Sequence, residues 1–325
     1  MKLLVTGGAG YVGSIVARQL LAAGHDVVVL DNLERGHRDA VPDEARLIVA
    51  DLRDRDAVRR ALRRGDGFEG VLHFAALALV SESVSHPERY YRTNVGGTLN
   101  LLEAMIGASV SRLVFSSTCA VYGQPDEVPI AEDAPPRPAN AYGASKLAVD
   151  HMIGDVCLAH GLGAVSLRYF NVAGASGEAG EDHEPETHLI PNILRAAIGR
   201  NSHIDVYGTD YETPDGTAVR DYIHIEDLGE AHLLALEGAR AGEHRIFNLG
   251  NGSGFSVREV IAAAAAVTGA EIPIREAARR PGDPPMLVAA SERIRAELGW
   301  KARKPELEQM IADAWTFMQA RPEGY

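Results

Sequence analysis

The first thirteen residues constrain the fold more than any other part of the chain. An apolar run at residues 3–6 leads directly into a G-x-x-G-x-x-G loop formed by Gly7, Gly10 and Gly13. The first glycine of such a loop allows a tight turn, the second lets the backbone approach a pyrophosphate, and the third lets a helix pack close to the sheet. The N-terminus of that helix favours an anion. The segment therefore predicts a strand–turn–helix unit that binds a dinucleotide.

A carboxylate follows the glycine loop at the spacing that a dinucleotide site needs. Asp31 lies 18 residues beyond Gly13, at the end of the second predicted strand. A carboxylate there accepts hydrogen bonds from the adenosine ribose and repels a 2′-phosphate, which predicts NAD rather than NADP. The alternative is that Asp31 is an ordinary strand-end turn residue. At the end of the third predicted strand, Asp51 and Leu52 are expected to reach the adenine.

The first half of the chain alternates short apolar runs with longer amphipathic segments. The predicted strands are residues 3–6, 26–30, 47–50, 70–74, 112–116 and 164–167. The predicted helices are residues 11–23, 54–64, 88–107 and 142–161. This repetition indicates an α/β fold, a Rossmann-type doubly wound parallel sheet with helices on both faces.

The pattern changes after Asn171. A loop rich in Gly, Glu and Asp occupies residues 174–188. Shorter elements follow, with strands at residues 204–207 and 221–224 and helices at residues 191–199, 226–239, 256–267, 291–298 and 305–320. We expect a dinucleotide-binding domain over residues 1–171 and a smaller α/β substrate-binding lobe over residues 172–325. Segments near residues 215–240 are expected to return to the first domain.

Composition excludes several classes of protein. Asp and Glu number 45 and Lys and Arg number 32, so the net charge of −13 argues against a nucleic-acid binder. A hydrophobic content of 46% is enough for a real core. Two cysteines, Cys119 and Cys157, cannot form a disulfide framework and suit a reducing compartment. Because we see neither a signal peptide nor an apolar run of about 18 residues, we expect a cytoplasmic protein without a membrane span.

A candidate catalytic pair lies in the fourth predicted helix. Tyr142 and Lys146 are four residues apart and share one helix face. A tyrosine with its usual pKa of about 10 is a poor base at neutral pH, and lowering that pKa by about 3 units takes about 4 kcal/mol. A lysine ammonium and an oxidised nicotinamide beside the phenol can supply that energy.

A hydroxyl at the end of a strand completes the predicted catalytic site. Thr118 ends the fifth predicted strand, at the carboxyl edge that faces the nucleotide crevice. It is placed to hydrogen-bond both a substrate hydroxyl and Tyr142. The structural alternatives are a surface helix with a Tyr–Lys contact and a strand-end hydroxyl that caps the backbone.

Together these motifs resemble the extended short-chain dehydrogenase/reductase family, over essentially the whole chain. The segments that carry the resemblance are residues 6–13, 31–33, 73–76, 91–95, 116–123, 142–146, 168–175, 219–224 and 279–283. The last three are typical of the family's nucleotide-sugar enzymes. The resemblance implies NAD-dependent interconversion of UDP-galactose and UDP-glucose, by transient oxidation at carbon 4, rotation of the 4-keto sugar and return of the hydride.

The resemblance also implies residue roles. The expected NAD contacts are Gly7, Gly10, Tyr11, Val12, Gly13, Asp31, Asn32, Asp51, Leu52, Phe74, Ala75, Ala76, Asn94, Ser116, Tyr142, Lys146 and Tyr169. The expected UDP-sugar contacts are Thr118, Tyr142, Asn171, Leu189, Tyr207, Arg220, Arg280 and Asp283. Arg220 and Arg280 are expected to grip the pyrophosphate, for which a guanidinium fork is suited. For both arginines the alternative is a surface ion pair. No metal site is expected.

The residues that follow the candidate catalytic threonine distinguish between related enzyme activities. Nucleotide-sugar 4,6-dehydratases carry two acidic residues after the catalytic threonine, where this chain has Cys119 and Ala120. The residues for an elimination step are therefore missing. Epimerases of UDP-glucuronate or UDP-pentoses use the same residues and stay open as the alternative. A regulatory module on the same fold is disfavoured, because such modules usually lose the tyrosine–lysine pair.

Two positions depart from the family pattern. Many members carry a basic residue in the loop after residues 73–76, where this chain has Ala78, which predicts a weaker grip on the cofactor. Leu287 stands where some members have tyrosine, which leaves room for a 2-acetamido group and predicts that UDP-N-acetylglucosamine is also accepted. Plain packing is the alternative for Leu287. The family further implies a homodimer formed by helices 88–107 and 142–161.

Overall fold

A seven-stranded parallel sheet forms the centre of the larger part of the molecule. The computed structural model describes residues 1–280 and 282–325. The strands in chain order are β1 (Lys2–Thr6), β2 (Asp26–Asp31), β3 (Arg46–Val49), β4 (Phe68–His73), β5 (Arg112–Thr118), β6 (Gly163–Tyr169), β7 (Asn171–Ala173), β8 (Ile204–Tyr207), β9 (Val219–His224), β10 (His244–Leu249), β11 (Gly254–Ser256), β12 (Ile274–Ala277) and β13 (Met286–Leu287). The order in the main sheet is β10-β6-β5-β4-β1-β2-β3.

Helices cover both faces of this sheet. They are α1 (Tyr11–Ala22), α2 (Arg55–Ala61), α3 (Val80–Ser85), α4 (Pro87–Tyr90), α5 (Gly97–Ala108), α6 (Ala141–His160), α7 (Leu189–Ala197), α8 (Ile225–Glu237), α9 (Val257–Thr268), α10 (Glu292–Leu298) and α11 (Leu307–Ala320). A π-helical stretch, Tyr91–Gly96, joins α4 to α5. Within the described residues, none of these helices has the length and apolar character that a membrane crossing requires.

The predicted doubly wound sheet is confirmed. All six strands predicted for the first half are present, each within two residues of its expected ends. The strand order reverses between β1 and β4, so the carboxyl ends of these two strands open a crevice in which α/β proteins bind ligands. The glycine loop follows β1 and therefore lies at this crevice.

Burial on both faces of the sheet explains why the central strands could be predicted from the sequence. In β1, Leu3 and Val5 point into a core layer shared with α1, whereas Leu4 points into the opposite layer. All three side chains are fully buried. A parallel strand covered on both faces reads as a continuous apolar run rather than an alternating one.

A smaller cluster of sheets lies in the second half of the chain. Strand β9 pairs with β7, β11 and β13, while β12 pairs with β8. A separate apolar core joins α7, α9 and α11 through Ile193, Val260 and Met310. Helix α8 packs on α1, and its Leu228 and Ala231 share a core with Leu3 of β1. The division at residues 171 and 172 stays a prediction.

The structure corrects several predicted elements. The helix predicted over residues 54–64 ends at Ala61, because Leu62 leaves the helical conformation and is buried in the core, before the turn that contains Gly65 and Gly67. The predicted helix 88–107 is interrupted by the π-helical turn. Strand β10 and the short strands β7, β11, β12 and β13 were not predicted, nor was helix α3.

Candidate active site

Two glycines of the loop after β1 are required by packing. Gly7 has φ +72°, and a Cβ atom there would lie 2.5 Å from the Ala75 nitrogen. A Cβ atom at Gly13 would lie 2.2 Å from the Gly7 carbonyl oxygen. The loop therefore closes against the end of β4, and α1 packs close to the loop, only if both positions are glycine.

Gly10 leaves the approach to α1 open. It is the N-cap of α1, and a Cβ atom there would meet nothing nearer than the Gly7 oxygen at 3.5 Å. Gly10 has no side chain with which to cap the first N–H groups, and the first turn contains no acidic residue. The exposed N–H groups of a helix start bind anions, so this loop fits a pyrophosphate.

Asp31, the last residue of β2, fixes the loop from the side. Its carboxylate accepts hydrogen bonds from the backbone N–H groups of Ala9, at 3.0 Å, and Leu33, at 2.8 Å. Burial raises the pKa of Asp31. Each carboxylate oxygen keeps a further lone pair, which suits the two hydroxyls of an adenosine ribose.

Asn32 and Asp51 come together beside Asp31. The Asn32 amide donates to the Asp51 carboxylate at 2.9 Å. Arg53 also pairs with Asp51, and these contacts hold the pKa of Asp51 well below its usual range. Leu52 is buried in the core against Val28 and its neighbours. An adenine contact by Asp51 or Leu52 stays a prediction.

The loop after β4 is held by Asn94, from the π-helical stretch. The Asn94 amide accepts from the Leu77 N–H at 2.8 Å and donates to the Leu77 carbonyl at 3.0 Å and to the Ser145 hydroxyl at 3.0 Å. Phe74 and Ala75 donate their N–H groups to the Thr6 carbonyl, and Ala76 follows them. Asn94 thus positions a loop that faces the crevice, and Ala78 in that loop is exposed.

Helix α6 begins close to the end of β5. The Asn140 side chain caps it by accepting from the Gly143 N–H at 2.9 Å. A Cβ atom at Gly143 would lie 2.4 Å from the Ala120 oxygen, so only glycine permits this approach. The first turn of α6 therefore places Tyr142 beside Thr118, the last residue of β5, near enough for the Thr118 hydroxyl to lower the pKa of Tyr142.

Lys146 lies one turn further along the same face. Its ammonium donates to the Ser116 carbonyl at 2.7 Å and lies 4.8 Å from the centre of the Phe115 ring. Ser116 in turn hydrogen-bonds through its hydroxyl to Tyr169. The rings of Phe74 and Tyr169 both contact His232 of α8. The structure thus brings the three predicted catalytic residues together with three further predicted cofactor residues, Phe74, Ser116 and Tyr169.

Burial shifts the pKa values of both Tyr142 and Lys146 in the protein without cofactor. Burial and the neighbouring Tyr169 raise the pKa of Tyr142, and the nearby Thr118 hydroxyl opposes the rise only in part. A desolvated phenolate is costly, and the Lys146 ammonium lies against a backbone carbonyl. The lowering expected from Lys146 together with an oxidised nicotinamide stays a prediction. Burial lowers the pKa of Lys146 to about 7, against the opposing effect of Asp150.

The pKa of Lys146 makes stability depend on pH. Between pH 7 and 10.5 the buried amine is mainly neutral, whereas the unfolded chain keeps it protonated, so stability rises with pH in this window. In cofactor-free protein we expect the unfolding free energy to rise by up to about 1.4 kcal/mol per pH unit relative to Lys146→Met. Urea unfolding at pH 7 and 9.5 measures this. Parallel pH profiles for the wild type and Lys146→Met would contradict it, and Lys301→Met, at an exposed position, is the control.

The predicted substrate residues form two groups. Arg220 of β9 pairs with Asp283 at 2.5 Å and donates to the Val219 carbonyl at 2.7 Å. Arg220 is near enough to Cys119, the residue after Thr118, to lower the pKa of its thiol, although burial raises that pKa to about 12. Arg220 therefore lies close to the segment that directly follows Thr118.

The second group of predicted substrate residues consists of Arg280, Tyr207, Asn171 and Leu189. The Arg280 guanidinium stacks on the Tyr207 ring, 3.9 Å from its centre. Asn171 of β7 pairs with Tyr222 of β9 in the sheet register, and Leu189 packs at the start of α7. Pro281, inside the predicted segment 279–283, lies outside the described residues.

One buried network was not predicted. Asp150 lies four residues after Lys146 on α6 and pairs with Arg168 of β6 at 2.9 Å. The Arg168 guanidinium also donates to the Tyr122 hydroxyl, which donates to the Asn248 side chain. Asp150 acts on Lys146 by raising its pKa. The repeated four-residue spacing from Tyr142 to Lys146 to Asp150 was the signal that could have revealed it.

Comparison with known proteins places this geometry in a family. The model of the NAD dependent epimerase/dehydratase family matches residues 3–250. UDP-glucose 4-epimerase of Streptomyces lividans is 56% identical over 324 residues, covering 100% of this chain and 98% of the relative. That of Corynebacterium glutamicum is 55% identical over 320 residues, covering 98% and 96%.

Solved structures agree with this assignment. A crystal structure of UDP-glucose 4-epimerase superposes with a TM-score of 0.96 at 45% identity, covering 100% of this chain and 99% of the other. The enzyme from Bifidobacterium longum, in complex with NAD⁺ and UDP, gives a TM-score of 0.94 at 36% identity and covers both chains completely. The resemblance read from the motifs is thereby confirmed, and the chain belongs to the NAD-dependent epimerase/dehydratase family.

Proposed function

We propose that this protein interconverts UDP-galactose and UDP-glucose by transient oxidation at carbon 4 of the hexose, with NAD as its cofactor. The observation that carries the proposal is the convergence of Tyr142, Thr118 and Lys146 at the carboxyl edge of β5. Full-length relatives with 55% and 56% identity are UDP-glucose 4-epimerases, which supports the same activity here.

The residues around the crevice fit the cofactor. Gly10 and the start of α1 would hold the pyrophosphate, and Asp31 the adenosine ribose. Lys146 and the Ser116–Tyr169 pair lie where the nicotinamide half would bind. Bound NAD would supply a group that accepts a hydride from carbon 4 and gives it back.

Proton transfer falls to the Tyr142 hydroxyl. As a phenolate it takes the proton of the sugar 4-hydroxyl, and as a phenol it returns that proton after the hydride is back on carbon 4. The Thr118 hydroxyl would hydrogen-bond both the Tyr142 hydroxyl and the sugar 4-hydroxyl, and so keep the two aligned for proton transfer. Because burial raises the pKa of Tyr142, its ionisation needs positive charge in the assembled site. Lys146 supplies one such charge when it is protonated.

The diphosphate must stay bound while the hexose turns. We expect Arg220, Arg280 and Asn171 to hold the diphosphate, and Leu189, Tyr207 and Asp283 to line the nucleotide side. The pairing of Arg220 with Asp283 and of Arg280 with Tyr207 supports this arrangement. Arg220 would exchange part of its pairing with Asp283 for phosphate oxygens. Binding energy concentrated on UDP leaves the 4-keto hexose free to present its opposite face.

Conversion of UDP-galactose tests this function. The purified protein is incubated with UDP-galactose and no added cofactor, and the UDP-sugars are resolved by chromatography. We expect UDP-glucose to form, with retained NAD recycled in each turnover. Parallel reactions with UDP-glucuronate and a UDP-pentose test the alternative substrates. Turnover of either of these without turnover of UDP-galactose, even with added NAD, would contradict the proposal.

The same experiment tests acceptance of N-acetylated sugars. Leu287 of β13 lies opposite Arg220 of β9 and packs with the cluster of Val121 and Phe170. A leucine there takes less room than a tyrosine, which supports the proposal that UDP-N-acetylglucosamine is also a substrate. We expect Leu287→Tyr to reduce turnover of UDP-N-acetylglucosamine more than turnover of UDP-glucose. Equal losses would leave Leu287 as a packing residue.

We infer that the chain forms a homodimer through the helical stretch 87–108 and α6. Tyr91 and Leu99 are each 46% exposed, and Leu158 of α6 is 82% exposed. Apolar side chains on two helix faces support a helical interface. Both cysteines are free thiols, which supports the proposed cytoplasmic location.

Leu158→Asp is expected to weaken the dimer at least tenfold, because a carboxylate would be buried in an apolar interface. Light scattering during size-exclusion chromatography measures the mass of the species in solution. Ile274→Asp, at an exposed position of β12, should leave the dimer intact. A wild-type protein that is monomeric at micromolar concentration would contradict the interface.

A further inference from the structure

The loop before α7 gathers four side chains of the kind that bind metals. Glu181, His183, Glu186 and His188 follow one another in an E-x-H-x-x-E-x-H spacing. Each offers one ligand atom, and these atoms all lie within 4.8 Å of one another. None of the four has a place in the proposed epimerase chemistry.

The distances within this cluster suit a small tetrahedral cation. The His188 Nδ1 atom lies 2.7 Å from Glu181 Oε1 and 3.0 Å from Glu186 Oε1. The His183 Nδ1 atom lies 3.1 Å from Glu181 Oε1 and 3.8 Å from Glu186 Oε2. Metal bonds of about 2.0–2.1 Å in a tetrahedron would separate the ligand atoms by about 3.3 Å. Small shifts would therefore let all four atoms bind one ion.

The buried carboxylate of Glu186 independently indicates that this cluster binds a ligand. Its side chain is 1% exposed, and its Oε2 atom is buried with no hydrogen-bond partner among residues 1–280 and 282–325. The other oxygen, Oε1, accepts from the N–H groups of Thr187 and His188, both at 2.7 Å, so the carboxylate is held in place. A buried carboxylate oxygen without a partner is costly, and a bound cation would satisfy it.

We propose that Glu181, His183, Glu186 and His188 bind one zinc ion. Imidazole nitrogens exclude a hard-cation site of the calcium or magnesium type, which would use oxygen ligands, and two carboxylates with two imidazoles suit zinc. Four protein ligands leave no position for substrate, so the site is structural. His188 is exposed and offers the path by which the ion enters. This proposal replaces the expectation that the chain has no metal site.

The loop that would hold the ion contacts two segments beside the proposed dinucleotide site. Tyr11, the first residue of α1, donates its hydroxyl to the Gly174 carbonyl at 2.6 Å, and its ring lies edge-on to His183. Arg35, in the turn after Asp31, donates to the Glu184 carbonyl at 2.7 Å. The ion would thus fix a loop that touches both the start of α1 and the turn beyond β2, the two places that frame the dinucleotide site.

The first experiment measures zinc in the intact protein. Protein purified without chelators, or stripped with dipicolinate and reloaded with zinc sulfate, is analysed by mass spectrometry for metal content. We expect about one zinc per chain and a melting temperature several degrees above that of the stripped protein. Cobalt replacing zinc should give the visible absorption of a tetrahedral site. Less than about 0.1 zinc per chain after reloading, or no zinc-dependent change in melting temperature, would overturn the proposal.

Variants then locate the ion. His183→Gln and Glu186→Gln should each weaken zinc binding roughly 100-fold, whereas His160→Gln, at the exposed end of α6, should bind as the wild type does. Zinc bound equally well by all three variants would place it elsewhere and overturn the assignment. Since the cobalt spectrum of the wild type needs no variant, a misfolded variant does not remove the test. None of these readouts depends on epimerase turnover.

Discussion

Replacing Tyr142 by phenylalanine is expected to lower kcat by about 10³-fold, because the variant loses the one hydroxyl placed to carry the substrate proton. Tyr142 lies near enough to Thr118 for that hydroxyl to lower its pKa, which puts the phenol at the carboxyl edge of β5. The ring itself packs edge-on against Tyr90, with ring centres 6.5 Å apart, and phenylalanine keeps that contact. The loss should therefore fall on kcat, with little change in KM or in melting temperature.

Tyr90→Phe provides the matched control for this substitution. The Tyr90 hydroxyl donates to the Leu79 carbonyl at 2.6 Å and to the Glu82 carboxylate at 3.0 Å, so its own hydrogen bonds go to groups outside the proposed catalytic set. We expect its kcat to stay within a few-fold of the wild-type value. Initial rates of UDP-galactose conversion give both constants. A Tyr142→Phe enzyme that keeps more than a tenth of wild-type kcat would remove Tyr142 from the proton-transfer step.

Arg168→Leu is expected to destabilise the protein by about 3–5 kcal/mol, the usual cost of breaking a buried ion pair from one side. The side chains of Arg168 and Asp150 are 5% and 1% exposed. Without the guanidinium the Asp150 carboxylate is left buried with little compensation, because its Oδ1 atom already lacks a partner within the described part of the chain. The Tyr122 hydroxyl loses a contact at the same time.

An exposed pair serves as the comparison for Arg168. Arg137 and Asp126 lie 3.0 Å apart with both side chains more than half exposed, so Arg137→Leu should cost under about 1 kcal/mol. Urea unfolding followed by circular dichroism measures both variants. Adding Asp150→Leu to Arg168→Leu should restore part of the stability, because the uncompensated charge is removed. Equal costs for Arg168→Leu and Arg137→Leu would show that the buried network contributes no more than a surface pair.

The parts of the fold that the sequence predicts are those fixed by local pattern. The central strands are buried on both faces and appear as apolar runs, and the glycine loop marks the first turn without ambiguity. Tyr142 and Lys146 share a helix face because of their spacing alone. These features need no knowledge of the rest of the chain.

The parts that were missed depend on distant contacts. Strand β10 begins with His244 and Arg245 and pairs with β6 at the edge of the sheet, so only its second half is fully buried. Nothing in six residues of mixed polarity indicates that partner. The shift in the pKa of Tyr142 has the same origin, because burial of the phenol is created by elements far apart in sequence. The pairing of Arg280 with Tyr207 likewise joins β8 to the segment after β12.

Transfer of deuterium from carbon 4 tests the central claim most directly. UDP-galactose deuterated at carbon 4 is converted in ordinary water, and the label is followed by mass spectrometry in the UDP-glucose formed. If the hydride leaves carbon 4, is held in the closed site and returns to the opposite face, the product keeps the deuterium at carbon 4. Loss of the label to solvent would mean that carbon 4 is deprotonated instead of oxidised. That result would contradict the roles proposed for Tyr142, Thr118 and Lys146.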